Sequence, residues 1–460
     1  MTGTAQIEAW LGDHDAETVE TLKAFCRIPS VSTDPTFAGD VRTAAAFVAG
    51  RLRDAGVPVV ETVETDGHPC IFAEWLVDPA KPTILIYGHY DVQPPDPLDK
   101  WISPPFEPAI RADRLYARGA SDDKGSLLIP LVVTRAFAEI AGQPPLNLKF
   151  LIEGEEESGS PHFVPTVAAM VDRLACDLVV SADGAMWRAD LPSITVASRG
   201  MVAMELRVSG AGKDLHSGRH GGSAPNPVRA LARMLASLHD EAGQVIVPGF
   251  ADDATLPDPA IAAAIATVGF DVAGYFDAIG APQPDPLPSG VDLLTRQWLV
   301  PTLEFNGISG GYTGAGTKTV IPSEASVKIT CRTVAGQTPD GVFAAIRDHL
   351  QAVLPTGHRM ELRRHGPGSV AFSVDPDLPG MVVAEDVLED ILGIRPLRVA
   401  MGATIPIGAV FAEHLGVGTV FFSFSTSDED YHAPNEFYRL SSLRKGQIAW
   451  ARLFDRLAQG

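Results

Sequence analysis

Basic side chains are scarce in this sequence. Lysine and arginine number 36 against 57 aspartates and glutamates, a formal net charge of -21. That balance repels phosphate backbones and anionic lipid, so no nucleic acid and no membrane surface is expected as a partner. Cysteine is rarer still. The four, Cys26, Cys70, Cys176 and Cys331, lie far apart and form no Cys-x-x-Cys pair, which fits buried free thiols in a reducing compartment. Long apolar runs are missing as well. The uncharged stretch between Arg398 and Glu413 is broken by Gly402, Pro406 and Gly408, and it is shorter than the roughly 20 apolar residues a membrane span needs. The opening residues carry neither a basic nor an apolar leader segment, so no signal peptide is expected and a cytoplasmic protein is the default.

What is present describes a folded protein, with 45% hydrophobic and 20% charged residues,. At 460 residues the chain exceeds one ordinary core, so two domains are expected. Residues 5–26 read as one acidic amphipathic helix and 40–55 as a second, stopped by Gly56. Short apolar runs at 57–63, 70–75, 83–87, 148–152 and 178–181 read as strands, with a helix at 126–141. Strands alternating with helices predict a mostly parallel, doubly wound sheet. The proline- and aromatic-rich segment 92–117 shows no clear element and reads as a functional loop. After residue 197 the pattern changes. Residues 201–208 and 325–331 alternate apolar with polar, as half-exposed strands do, and 225–240 and 339–354 are helical. From about residue 376 the first style returns, with a strand at 420–424 and a helix at 441–457. The expectation is an α/β catalytic domain made of residues 1–197 and 376–460, interrupted by an α+β domain at 198–375.

The chemistry is organised around residues 83–95. A buried strand ends at Gly88, and His89 and Asp91 follow at i and i+2, on one side of an extended segment. His89 reads as a metal ligand and Asp91 as the acceptor that orients its ring. Alone, His-x-Asp is equally a surface turn. The same holds elsewhere: Asp122 or Asp123 could cap a helix, Glu155–Glu157 could be a solvated charged turn, and Asp183 an ordinary turn residue. Their placement argues otherwise. His89, Glu156-Glu157 and Asp183 each follow the carboxyl end of a strand, and His432 comes a short loop after another. In a parallel sheet those ends share one edge, where α/β sheets build their sites. Asp122 opens a helix from the same side. Two histidines and several carboxylates suit zinc, manganese or cobalt, with Asp122 as the natural bridge between two ions.

The sequence also resembles a known family. Tyr87-Gly-His-Tyr-Asp-Val-Gln-Pro94, Arg118-Gly-Ala-Ser-Asp-Asp-Lys-Gly125, Glu156-Glu-Ser-Gly-Ser160, Asp214-Leu-His-Ser-Gly218, the run Gly310–Pro322 and His432-Ala-Pro-Asn-Glu436 are similar to the zinc peptidases that include carnosinase, cytosolic nonspecific dipeptidase, glutamate carboxypeptidase and aminoacylase. The long middle domain resembles the dipeptidase branch most. The resemblance implies two divalent ions, zinc first, with manganese or cobalt as alternatives. His89, Asp122 and Asp183 would hold one, and Asp122, Glu157 and His432 the other. It implies Glu156 as general base and a cis peptide at Asp122-Asp123. It further implies that His216 donates to the oxyanion from the partner subunit of a homodimer formed through the inserted lid domain. Arg332 would grip the substrate carboxylate, and Thr319 and Thr404 would make polar substrate contacts. The family usually has two glycines before the position of Thr404, where this chain has Gly402-Ala403; a reshaped pocket is the consequence.

The reading is a two-metal amide hydrolase, a dipeptidase acting on substrates with a free C-terminal carboxylate. The alternative is an N-acyl-amino-acid deacylase with the same metal centre. A silent binding protein on this fold would lack a ligand or the base, and every one of those residues is present.

Overall fold

The apolar run Thr83–His89 lies inside a six-stranded sheet, in the order Val59–Val63, Cys70–Trp75, Asn147–Glu153, Thr83–His89, Leu178–Ser181, Thr419–Phe421. The last four strands are parallel and the first two add antiparallel pairs at one edge. Every residue of Asn147–Glu153 and Leu178–Ser181 is buried. A parallel sheet covered on both faces demands such runs, so the mostly parallel sheet expected from the sequence is the one observed. The helix Ser126–Ala141 packs against Leu440–Leu457 and Gly3–Asp13. The register sets His89 opposite Glu153 and Tyr87 opposite Ser181. The loops that follow these strands therefore leave the sheet at one edge.

This computed structural model describes residues 3–255, 259–375, 377–402 and 407–459. The sheet belongs to a first unit, Met1–Val196 with Val374–Val399 and Val410–Gly460. The second unit is Ala197–Ser373 with Ala400–Ala409. Residues 400–409 thus go with the second unit rather than with the closing segment. Arg199 bonds the start of that segment, donating from its backbone N to Met401 O (3.3 Å) and from Nε to Gly402 O (2.8 Å).

The second unit contains an antiparallel sheet in the order Thr302–Gly310, Glu324–Thr333, Gly200–Ser209, Arg359–Ser369. Gly200–Ser209 alternates buried and less buried residues along its length. Its inward side, Val202, Met204, Leu206 and Val208, packs with Ile329, Ile346, Leu350 and Met234 into one core, under the helices Pro227–Ala236 and Pro339–Val353.

Some elements differ from the sequence reading. The single helix over 5–26 is two, Gly3–Asp13 and Asp15–Cys26. They meet at His14, whose Nδ1 is 2.8 Å from Trp10 O and whose ring stacks on Trp10 at 3.8 Å. Segment 92–117 contains a hairpin, Ala109–Arg111 with Arg114–Tyr116, which Phe437–Arg439 joins as a third strand. The last parallel strand stops at Phe421, where its partner Leu178–Ser181 also ends; beyond it the Ser423 and Ser425 hydroxyls bond Ser126 Oγ at 3.1 and 3.0 Å. No single helix among the described residues is long and apolar enough to cross a membrane.

Ile346 is fully buried in the second unit's core. Ile346→Ala should cost about 2–5 kcal/mol through lost burial and the cavity left behind. The check is a lower midpoint in urea unfolding followed by a probe in the second unit, with metal content unchanged.

Candidate metal centre

His89 ends its strand fully buried. Its Nδ1 lies 3.1 Å from Asp91 O and 3.3 Å from Asp91 Oδ1, so one side of the ring is spoken for. The other, Nε2, faces Asp122 Oδ1 at 3.0 Å. The second oxygen of Asp122 lies 3.0 Å from His432 Nε2. One carboxylate therefore sits between two imidazoles, with one oxygen for each.

Asp122 is extended (φ -119°, ψ 97°) within the tight turn Ala120–Gly125, and its peptide bond to Asp123 is cis. Glu436 holds that turn from 314 residues away. One of its oxygens accepts from Arg118 Nη1 (2.7 Å) and Gly119 N (2.8 Å), and the other from Ser121 N (2.9 Å) and Asp122 N (3.1 Å). Glu157 approaches from the turn after the Asn147–Glu153 strand. Its Oε2 lies 3.2 Å from His432 Nε2 and accepts from Gln93 Nε2 at 2.9 Å. Asp91 does a second task there, accepting from the backbone N of Glu156 (3.2 Å) and of Glu157 (3.0 Å).

The donor atoms fall into two sets, His89 with Asp122 and Asp183, and Asp122 with Glu157 and His432; within each set they all lie within 4.8 Å of one another. An ion bound at about 2.0–2.2 Å by nitrogen and oxygen donors needs such spacing. Charge gives an independent test of fit. Burial pushes Glu157 up to about 7 and Asp183 up to about 6, and lifts Glu156 well above the usual carboxylate range. Burial acts upward on Asp122 too, but its bonds to His432 and His89 outweigh that and hold it below the ordinary range. The bond to Asp122, with a second to Glu157, lifts His432 to about 10. The acids are crowded enough to keep protons on themselves and on the histidines. A divalent ion would replace those protons, so the donor set fits one at each set.

The structure thus brings His89, Asp122, Glu157, Asp183 and His432 together within the first unit. Glu156 stands in the same turn, outside both donor sets. His216, Thr319 and Arg332 stand on the second unit. His216 is exposed at the end of the short strand Leu215–His216, where its Nδ1 accepts from Gly218 N at 3.0 Å. Thr319 is its neighbour, because Ser217 N donates to Thr319 O at 3.0 Å. Arg332 lies half-buried in the strand Glu324–Thr333, and burial lowers its pKa. Thr404 and Ala403 lie outside the described residues.

Sequence reasoning missed Glu436 and Gln93 as supports, although both lie in the motifs it singled out. The available signal was their spacing, four residues after His432 and two after Asp91. Glu436→Ala would leave the buried Arg118 guanidinium unpaired, so it should destabilise the fold by about 3–5 kcal/mol and loosen the Asp122 turn. Unfolding midpoint and metal per chain check both parts.

The chain is similar to known proteins over most of its length. The Cys-Gly metallodipeptidase dug1 of Schizosaccharomyces pombe is 29% identical over 448 residues, covering 94% of this chain and 93% of that one. The beta-Ala-His dipeptidase of Rattus norvegicus is 28% identical over 463 residues, covering 97% and 94%. Among solved structures, the di-peptidase Dug1p from Saccharomyces cerevisiae matches with a TM-score of 0.84 at 25% identity, over 100% of both chains. The pattern of peptidase family M20/M25/M40 matches residues 85–456, and the chain belongs to that family.

Proposed function

We propose that this chain is a two-metal dipeptidase, cleaving dipeptides that carry a free C-terminal carboxylate. The observation that carries the reading is the Asp122 carboxylate, shared between the His89–Asp183 and Glu157–His432 donor sets. Relatives over nearly the whole chain are named as dipeptidases, which supports the substrate class. Zinc is the proposed metal, with manganese or cobalt as alternatives, since the donors are nitrogen and oxygen only. All four cysteines are free, in keeping with a reducing, cytoplasmic setting.

A pair of divalent ions, when bound, supplies Lewis acidity and brings a water's pKa toward neutrality. The chain's own residues do the rest. Glu156 takes a proton from the attacking water and delivers it to the amide nitrogen as the C–N bond breaks, so the amine leaves neutral. Burial that raises its pKa suits a group that must hold that proton between the two steps,. Asp91 fixes the His89 ring and the turn that presents Glu156. On the second unit, Arg332 matches the substrate carboxylate with a planar guanidinium fork, and Thr319 and Thr404 supply polar contacts. The partner subunit's His216 donates to the oxyanion, with the inserted unit serving as lid and dimer interface.

Three measurements test this. Wild-type protein loaded with zinc should hydrolyse Cys-Gly or beta-Ala-His faster than an N-acyl amino acid; the reverse order would make it a deacylase. Glu156→Gln should keep its metal yet lose about 10²–10⁴-fold in turnover, whereas Glu157→Ala should lose metal at one site. Near wild-type turnover in Glu156→Gln would end the assignment of the base. His216→Ala should leave metal content alone and cut kcat by about 10²–10³-fold, as loss of an oxyanion donor does.

A further inference from the structure

We propose that Glu155 is a positioning residue for the reaction, closing a ring of hydrogen bonds that sets where Glu156 and Glu157 point. The inference rests on the roles given to those two glutamates above. Three glutamates stand in a row after Gly154, and two have chemical work. The third is buried, 6% exposed. A carboxylate is placed so only when it is well partnered.

Its partners are specific. Oε1 accepts from His68 N at 3.1 Å, Oε2 accepts from His162 N at 3.3 Å, and both oxygens lie 3.0 Å from His162 Nδ1. Its main-chain carbonyl accepts from Ser158 N (3.0 Å) and Ser160 N (2.8 Å). Glu155 therefore grips the turn from its backbone and ties it to the loop before the Cys70–Trp75 strand through its side chain. That loop leads onward. His68 Nε2 lies 3.2 Å from Ser32 O. Ser32 Oγ donates to Asp91 Oδ2 at 2.6 Å. Asp91 in turn accepts the backbone N–H groups of Glu156 and Glu157, and Glu156 is peptide-bonded to Glu155. The ring is closed.

A second observation shows how tightly the ring is built. A Cβ at Gly67 would run into the Glu155 carboxylate and press on His162 Nδ1. Only glycine leaves room for the carboxylate to reach His68 N.

The consequence is geometric. The ring holds backbone N–H groups, so it fixes the directions in which the Glu156 and Glu157 side chains leave the chain. Displacing a reacting group by about 1 Å can cost on the order of 100-fold in rate. Glu155, His68 and Ser32 belong to neither metal donor set; they act through the turn.

The test uses Glu155→Ala and its closer mimic Glu155→Gln, each compared with wild type. Hydrogen exchange is measured first, on metal-free protein, over residues 153–160. Opening the ring should speed exchange there by about tenfold or more. Unchanged exchange in both variants overturns the ring, whatever the activity shows. On zinc-loaded protein, kcat should fall about 10–100-fold with KM within about twofold; a loss carried by KM alone overturns the positioning role. Gly67→Ala should lower kcat in wild type and change nothing further in the Glu155→Ala background. Full additivity of the two would mean separate effects and would also overturn it. Absence of dipeptide turnover in wild type would sink the functional reading instead, and the exchange measurement would still decide the ring.

Discussion

The site depends on one carboxylate being shared by two imidazoles. Asp122 offers one oxygen to His89 and the other to His432, each at 3.0 Å. Every other feature of the centre serves or balances that arrangement. Bringing Asp122, Glu156, Glu157 and Asp183 into one partly dry cluster is costly, because carboxylates out of water repel one another and resist ionisation. The raised pKa values of Glu156, Glu157 and Asp183 express that cost. A fold that keeps such a cluster needs positive charge at its centre. Two histidines supply some of it by protonation, and divalent ions would supply it more completely while freeing the imidazole lone pairs.

Holding Asp122 there requires rigid support, and the support comes from far along the chain. Glu436 takes three N–H groups of the turn, those of Gly119, Ser121 and Asp122, together with the Arg118 guanidinium. The parallel sheet supplies the rest. Its register sets the end of Thr83–His89 opposite that of Asn147–Glu153, with Leu178–Ser181 ending opposite Tyr87, so His89 and the loops bearing Glu157 and Asp183 lie at one edge. Strands buried on both faces are poor places for charge, so the charges collect where the strands stop.

Much of this was legible in the sequence, for an identifiable reason. Buried parallel strands are continuous apolar runs, and polar clusters at their ends stand out against them. That contrast marked His89, Glu156-Glu157 and Asp183. The antiparallel sheet of the second unit was legible from the alternation in residues 201–208. What escaped notice was long-range or local in an unusual way. The grip of Glu436 on Asp122 N spans 314 residues, and no periodicity carries it. The break at His14, whose Nδ1 lies 2.8 Å from Trp10 O, is local to one residue, which an amphipathic pattern does not register. Met401 and Gly402 are bonded by Arg199, some two hundred residues upstream.

The roles proposed for Glu156 and Glu157 give two adjacent glutamates opposite duties, which is the sharpest physical problem in the site. Glu156 and Glu157 are chemically identical and consecutive in the chain, yet only Glu157 belongs to a donor set. In a regular strand their side chains would point to opposite faces, and in a longer helix they would diverge by about 100°. Here both stand in one short helical turn, Glu156–Ser158. It is pinned at its start by Asp91, which takes both N–H groups, and at its end by the Glu155 carbonyl, which takes those of Ser158 and Ser160. With the backbone held from both sides, Gln93 fixes the Glu157 carboxylate at 2.9 Å and leaves Glu156 as the acid not committed to holding metal. A proton carrier must give up its partner twice per turnover, and a ligand must never give it up. The turn separates those requirements by geometry alone.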